Sequence, residues 1–523
     1  MNKEYDVIVV GGGMAGLTSM AYLCRAGVRT LLVEKGEKPG GLVSTFWYQG
    51  FAFDAGIRAF ENSGILFPML KSLGIEIEFV RNPVSIGIQN QWVKLGSRDS
   101  LRDYAAMLIN IFPDNAADIF RIAEEIRNVM SYMDVLYGID NPLVLEDMQN
   151  WKYLTNTLLP WLMKYKKNIR KAEKLSEPVY VYLKHLTKNE ALIDLIAQHF
   201  FKSTPAFFAL SYFGLYLDYC YPVGGTGTLA QKMAEYINRT EGEILTNTAA
   251  NQVDPLRHEV LLSDGQTLRY SKLVWAADQK TLYSIIKGVH ATKVIKQHLL
   301  VEKSTGGDSI LTLFMGVDLA KDYFDDHCGA HTFYTPVTEG LSVLPHWKEA
   351  AEIGKDGLLE WVGSYLERTT YEISCPALRD VSLAPEGKAG VIVSTLMDYS
   401  IVRVFSDLGE YESFKQYCTK KITNILKMSL FPEIQEKTLF ALCATPLTIE
   451  RETGNTQGAI TGWAFTNTLM PAENHFPKIR KSIKTPIGDI VQCGQWTFSP
   501  SGLPVSVLTG KLAANEVRKA LKS

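Results

Sequence analysis

The apolar positions of this chain change period within its first twenty-five residues. Val7, Ile8, Val9 and Val10 are consecutive, β-branched and bounded by glycine, the pattern of a strand buried on both faces as in a parallel sheet. Leu17, Met20, Ala21 and Cys24 then recur at three- and four-residue spacing, which is one face of a helix. "VRTLLVEKG" supplies a second buried strand that ends at Glu34. Further on, "VSIGIQNQWVKL" predicts two short strands, and "DSLRDYAAMLINIFPDNAADIFRIAEEIRNVMSYM" a helical stretch broken at Pro113. "SILTLFMGVDL" and "AGVIVSTLMD" are later strands that can build a second sheet. "GDIVQCGQWTFSPSGLPVSVLTGKLAANEV" predicts a strand ending at Gly494, a loop, and a helix with Pro504 at its first position and Val505, Leu508 and Leu512 on its apolar face.

Between the first strand and helix lies Gly11-Gly12-Gly13-Met14-Ala15-Gly16, a G-x-G-x-x-G. Gly11 can make the tight turn, Gly13 lets a pyrophosphate approach the backbone, and Gly16 lets helix and strand pack closely. The helix opening at Met14 and Ala15 then faces the phosphates with free N–H groups and its positive dipole end. Glu34, eighteen residues after Gly16, is placed to accept hydrogen bonds from a ribose hydroxyl pair and to repel a 2′-phosphate. Strand, loop, helix and acid together define a dinucleotide site that disfavours NADP.

"KGEKPGGLVSTFWYQGFAFDAGIRAFE" follows, with the doublet Gly40-Gly41 and then Phe51-Ala52-Phe53-Asp54-Ala55-Gly56. This resembles the GG doublet and fDxG element of FAD-dependent amine oxidases and carotenoid desaturases. "YPVGGTGTLAQKMAEYINRTEGEILTNTAANQV", "KLVWAADQKTL" with Asp278 at its tip, "CPALRDVSLAPEGKAGVIVSTLMD", "TPLTIERETGNTQGAITGW" and the final "GDIVQCGQW" segment resemble further motifs of that superfamily in the same order. The likeness spans the chain and is nearest to the branch of bacterial phytoene desaturases, plant-type carotene cis–trans isomerases and retinol saturases. It implies an α/β fold: a Rossmann-like FAD-binding domain with a mixed-sheet and helical substrate domain. The FAD domain is expected to be discontinuous, over 1–95, 222–300 and 446–523, with 96–221 and 301–445 binding substrate. The resemblance implies FAD contacts at the Gly11–Gly16 loop, Glu34, Lys35, Gly41 and Leu42. It adds Val253, whose backbone would hold the adenine, and Gly494, Gln495 and Leu503 near the ribityl chain and ring. Two positions depart from the family pattern. Leu42 stands where an arginine is usual, a charge that Arg58 or Lys35 could replace, and Gln495 stands where an aspartate is usual.

Composition narrows the partners. With 523 residues and 46% hydrophobic content the chain can bury a large core in two or more domains. A net charge of −2 provides no field that would draw nucleic acid. Seven scattered cysteines without C-x-x-C or zinc spacing suit buried thiols in a reducing, cytoplasmic setting, and no metal is expected. No secretory signal and no uncharged run of transmembrane length is visible. Oligomeric state is left open.

The resemblance implies a flavin oxidoreductase acting on C–C bonds of a polyene or isoprenoid lipid, by desaturation, saturation or cis–trans isomerisation. An amine-oxidase-like enzyme with a polar substrate, and a flavin-binding protein without its own catalysis, are the alternatives. "HFFKSTPAFFALSYFGLYLDYCY" suits a tunnel for an apolar substrate and an ordinary aromatic core equally well. His199 beside it is the one weak catalytic candidate, although a lone histidine is more often structural. Cys493 lies beside the last motif, where an apolar run favours a buried thiol over a covalent flavin link. From Trp151 to Lys174, aromatics alternate with lysines, as on a solvated helix or a segment that touches a membrane surface.

Overall fold

A computed structural model describes residues 4–61, 63–137, 139–144 and 154–522. The first strand, Glu4–Val10, pairs in parallel with Thr30–Val33 on one side and Thr267–Trp275 on the other. Beyond these lie Glu243–Leu245, parallel at one edge, and the antiparallel strands Glu259–Leu262 and Ala250–Asp254 at the other. Ile490–Gln492 adds a seventh strand, in parallel, along Leu273–Trp275. Val7, Ile8 and Val9 are wholly buried, because helices cover both faces of a parallel sheet.

The second sheet runs in the order Thr438–Ala444, Ser309–Val317, Ala389–Met397, Tyr371–Ser374, His331–Thr335, Val84–Ile88 and Gln91–Leu95. The pair 84–95, which the sequence groups with the first domain segment, is therefore built into this sheet. Side chains alternate across it, as the period of two requires. Leu311, Leu313, Met315, Val391 and Val393 enter a core shared with the helices Lys355–Arg368 and Tyr411–Ser429. Thr312, Ser394 and Glu372 point to the opposite face.

The helices Ser100–Ile111 and Ala116–Tyr137 are separated by a short turn at Pro113, and with Glu190–Ala197 and Ala206–Leu217 they pack beside the 84–95 strands. Two boundaries differ slightly from the sequence pattern. The last strand stops at Gln492, because Gly494 sits at φ +101° and turns the chain, and the final helix begins at Leu503, so Pro504 is its second residue.

That final helix, Leu503–Lys522, lies against Met14–Arg25 at backbone distance. A Cβ on Gly510 would stand 2.4 Å from the carbonyl oxygen of Ala15. Alanine improves a helix interior by about 1 kcal/mol, but overpacking costs about 1–3 kcal/mol. We expect Gly510→Ala to lower stability by up to about 2 kcal/mol net, read as a lower urea midpoint. A raised midpoint would mean that the two helices do not meet this closely.

Candidate functional site

The Gly11–Gly16 turn is held by its lack of side chains. Gly11 adopts φ +104°, and a Cβ on Gly16 would lie 1.9 Å from the Gly11 carbonyl oxygen. At Gly13 the same test meets nothing within 4 Å, so space is open where a diphosphate would approach. Gly13 is the N-cap of Met14–Arg25 and offers no side-chain cap, which leaves the first-turn N–H donors to a ligand. Glu34 follows its strand directly. Its carboxylate accepts from Gly12 N–H at 2.6 Å and Gly36 N–H at 2.7 Å, fixing the loop and keeping its remaining lone pairs for ribose hydroxyls.

Other segments converge here. Gly40 N–H donates to the Gly12 carbonyl at 2.8 Å, and a Cβ on Gly41 would sit 3.5 Å from Gly13 Cα. The Leu42 carbonyl accepts from Ile57 N–H at 3.1 Å and presses against Gly56, where a Cβ would lie 2.1 Å away. A Cβ on Gly494 would lie 3.3 Å from that of Ala15, and Gly494 N–H donates to Thr509 Oγ1 at 3.0 Å. The Gln495 carbonyl is closed over by Gly462 (φ +74°). Leu503 opens the helix that packs on Ala15. Val253 stands apart: it is fully buried in its strand, with its carbonyl bonded to Lys287 N–H. Asn247 and Thr248 are the residues of that segment that reach the loop, donating to the carbonyls of Gly36 and Glu34. Lys35 extends to the Arg451 carbonyl at 2.9 Å. Cys493 is a buried free thiol, and burial raises its pKa.

Beside the loops sits a polar cluster around Asp54 and Arg58, whose partners Asn82, His331 and Glu372 the sequence did not single out. Asp54, fully buried, accepts from Thr45 Oγ1, Thr226 N–H, Thr226 Oγ1 and Tyr221 O–H at 2.7–2.9 Å. Arg58 is buried beside Asp54. It donates to the Asp54 and Gly56 carbonyls and to Ser394 Oγ on the second sheet. Arg379 lies 3.9 Å over the Tyr221 ring and donates to Asn82 Oδ1 and Ser374 Oγ. Because Arg379 takes Asn82 Oδ1, the Asn82 amide faces His331 Nδ1, so His331 carries its proton on Nε2 and donates to Glu372 Oε1 at 2.8 Å. Burial lowers the His331 pKa, against the Glu372 hydrogen bond and charge that raise it. Burial pushes Glu372 upward, but the His331 hydrogen bond and the Arg58 and Arg379 charges outweigh it and hold its carboxyl below the usual range.

The aromatic run lies on Ala206–Leu217 and its approach, and lines a cavity. Tyr212, Phe213, Tyr216, Phe200 and His199 face Phe333 and Ile86 of the sheet across it. The cavity measures about 50 Å³ at the centres of water-sized spheres, where one water needs about 10–15 Å³. It is narrow, and a long ligand must spread its rings. The His199 ring centroid lies 5.3 Å from that of Phe333, and its Nε2 is 3.4 Å from the Tyr216 hydroxyl. Burial pushes the His199 pKa down to about 4. The run is thus both core and cavity wall.

An uncapped helix end, open space at Gly13 and an acidic residue at the loop fit a dinucleotide cofactor. The family model of flavin containing amine oxidoreductases matches residues 14–518, and the chain belongs to that family. Its cofactor is FAD. The chain is 22% identical over 542 residues to prolycopene isomerase 1, chloroplastic, of an Oncidium hybrid cultivar, covering 98% of this chain and 84% of that one. It is 24% identical over 398 residues to the phytoene desaturase (lycopene-forming) of Pantoea ananas, covering 72% and 73%. Among solved structures it shares the fold of an oxidoreductase from Methanosarcina mazei, with a TM-score of 0.59 at 13% identity over 98% and 99% of the two chains.

The neutral His199 has a consequence for stability. Its folded pKa lies below the unfolded value, so between about 6.5 and 4 the unfolded chain binds more protons and stability falls as pH falls. The contribution is on the order of 3 kcal/mol at most. Urea unfolding at pH 7, 6, 5 and 4.5 should show this slope in the wild type and a flatter one in His199→Gln. Equal slopes would mean that His199 titrates as an exposed histidine.

Proposed function

We propose that this flavoprotein acts on C–C bonds of a polyene or isoprenoid lipid, by desaturation, saturation or cis–trans isomerisation. The observation that carries the reading is the aromatic-walled cavity on the sheet face that also reaches Arg58, next to the glycine loops. Likeness to a prolycopene isomerase and a phytoene desaturase supports it.

When bound, FAD supplies hydride acceptance or donation at its ring. In this reading the Gly11–Gly16 loop and the start of Met14–Arg25 hold the diphosphate, Glu34 the ribose, and the segment at Thr248, in place of Val253, the adenine side. Gly41, Leu42, Gly494, Gln495 and Leu503 border the rest of the cofactor. Phe200, Tyr212, Phe213, Tyr216 and Phe333 grip the chain of the substrate and exclude water. His199, neutral and hydrogen-bonded within the wall, orients rings and moves no proton.

Purified protein incubated anaerobically with polyenes of stated geometry distinguishes the reactions. Bleaching of the flavin band marks desaturation. Reoxidation of the dithionite-reduced protein marks saturation, and a change of isomer without net redox marks isomerisation. Bleaching by primary amines alone would overturn the polyene reading.

Such a substrate is nearly insoluble, and we propose delivery from a membrane surface. Among the described residues no helix is long and apolar enough to cross a membrane. Trp151 and Tyr153 of the aromatic–basic stretch lie outside the described residues. Of the described part, Leu159–Glu173 is a helix packed on Ala116–Tyr137, which lines the cavity through Ile126. Leu159, Leu162 and Met163 are 58%, 45% and 69% exposed. Lys164, Lys166 and Lys167 beside them are exposed and form no ion pair among the described residues. Apolar side chains among unpaired cations suit an anionic interface, each cation adding about 1 kcal/mol. Binding to phosphatidylserine vesicles should fall, without vanishing, at high salt. Replacing the three lysines by glutamine should weaken it about 100-fold at low salt with flavin content unchanged. No binding by the wild type would dismiss the membrane route.

A further inference from the structure

The second sheet ends in an open edge. Thr438–Ala444 pairs with Ser309–Val317 on one side, and among the described residues no hydrogen bond reaches its outer side. None of its seven residues is buried, whereas eight of the nine in Ser309–Val317 are. Edge strands ordinarily carry a lysine, a proline or a bulge that keeps another strand from joining. Here the residues are Thr-Leu-Phe-Ala-Leu-Cys-Ala, with no charge and no proline. The one register shift falls at Leu439, near the start, and leaves 440–444 regular. The outward N–H and C=O groups of that regular part are a template for one more strand.

The strand's own sequence fits the place. Phe440, Leu442 and Ala444 face the cluster of Phe46, Phe53 and Phe314, while Ala441 and Cys443 face the helices on the other side. A two-fold axis perpendicular to the sheet through Leu442 pairs the strand antiparallel with its copy and keeps every side chain on its own face. Phe440 then lies opposite Ala444, a large side chain against a small one. Ala441 lies opposite Cys443, and Leu442 opposite itself. An uncharged strand meets an uncharged strand, so no charge is stripped of water or set against its like. Tyr48, with its ring 4.9 Å from that of Phe440, and Leu439 add apolar surface beside the edge, at 38% and 51% exposure.

We propose that this edge is a dimer interface, at which two copies of the chain join their seven-stranded sheets into one through residues 440–444. The strand runs on into Pro446–Thr453, where the Arg451 carbonyl accepts from Lys35 Nζ at 2.9 Å. Pairing therefore braces a segment that leans on the residue next to Glu34. The interface holds whatever the flavin acts on.

Sedimentation velocity of the flavin-loaded protein across the micromolar range reads the association. The wild type should sediment at twice the monomer mass. Leu442→Lys sets two cations face to face at the axis and should weaken the dimer about 100-fold, with flavin content unchanged. Ala441→Cys tests the register and still decides if Leu442→Lys misfolds, because directly opposed residues lie within the Cα span of a disulfide. Copper phenanthroline, which takes two electrons and two protons from each thiol pair, should link the introduced thiol to Cys443 of the partner subunit, giving a covalent dimer on a non-reducing gel. The wild type should not cross-link, and adding Cys443→Ser to Ala441→Cys should abolish the link. A wild type that stays monomeric would leave the edge to a foreign strand and overturn the proposal. A dimer indifferent to Leu442→Lys, or a link that is absent or survives Cys443→Ser, overturns it as well.

Discussion

One buried carboxylate organises the region between the glycine loops and the second sheet. Asp54 sits in a strand at zero exposure and would be costly there without partners. Thr45, Thr226 and Tyr221 satisfy it, and in doing so they bind a hairpin, a glycine turn and the end of the aromatic run to one point. The chain of contact continues outward. The Tyr221 ring supports Arg379, Arg379 orders Asn82 and Ser374, and Asn82 sets the tautomer of His331. The position of Glu372 is thus inherited from a buried carboxylate several contacts away.

The glycine framework complements this with backbone contact. At Gly16, Gly56 and Gly510 a carbonyl occupies the space a side chain would take, so three elements approach to a distance that no other residue allows. Gly13 is the exception within its loop, with open space where a side chain would be. The difference between closed and open glycines separates those that hold the fold from the one that leaves room at the helix N-terminus.

That distinction was partly legible in the sequence. The Gly11–Gly16 turn, Glu34 and the alternation of later strands are local signals, because φ, close approach and period each constrain residue type over a few positions. The segment from 243 to 254 was legible only as a segment. Register within a strand depends on pairing, and pairing places Asn247 and Thr248 at the loop while burying Val253. Arg58 was visible as a spare cation, but its direction depends on Ser394, 336 residues away. Asn82, His331 and Glu372 lie in no motif, and Arg379, though inside one, takes its meaning like them from neighbours distant in the chain. The aromatic run could not be assigned from composition, because the same rings pack a core and wall a cavity.

The meeting of Gly510 with Ala15 also orders events during synthesis. The helix at Met14–Arg25 leaves the ribosome long before the helix that covers it. At about 5–20 residues per second, roughly 25–100 s separate the two. Through that interval the nascent chain carries an apolar helix face with no permanent cover and a nucleotide loop whose far wall, at Gly494 and Gln495, does not yet exist. Cofactor capture is therefore a late event in the life of each molecule, and chaperones or transient partners have a long period in which to shield its opening segment.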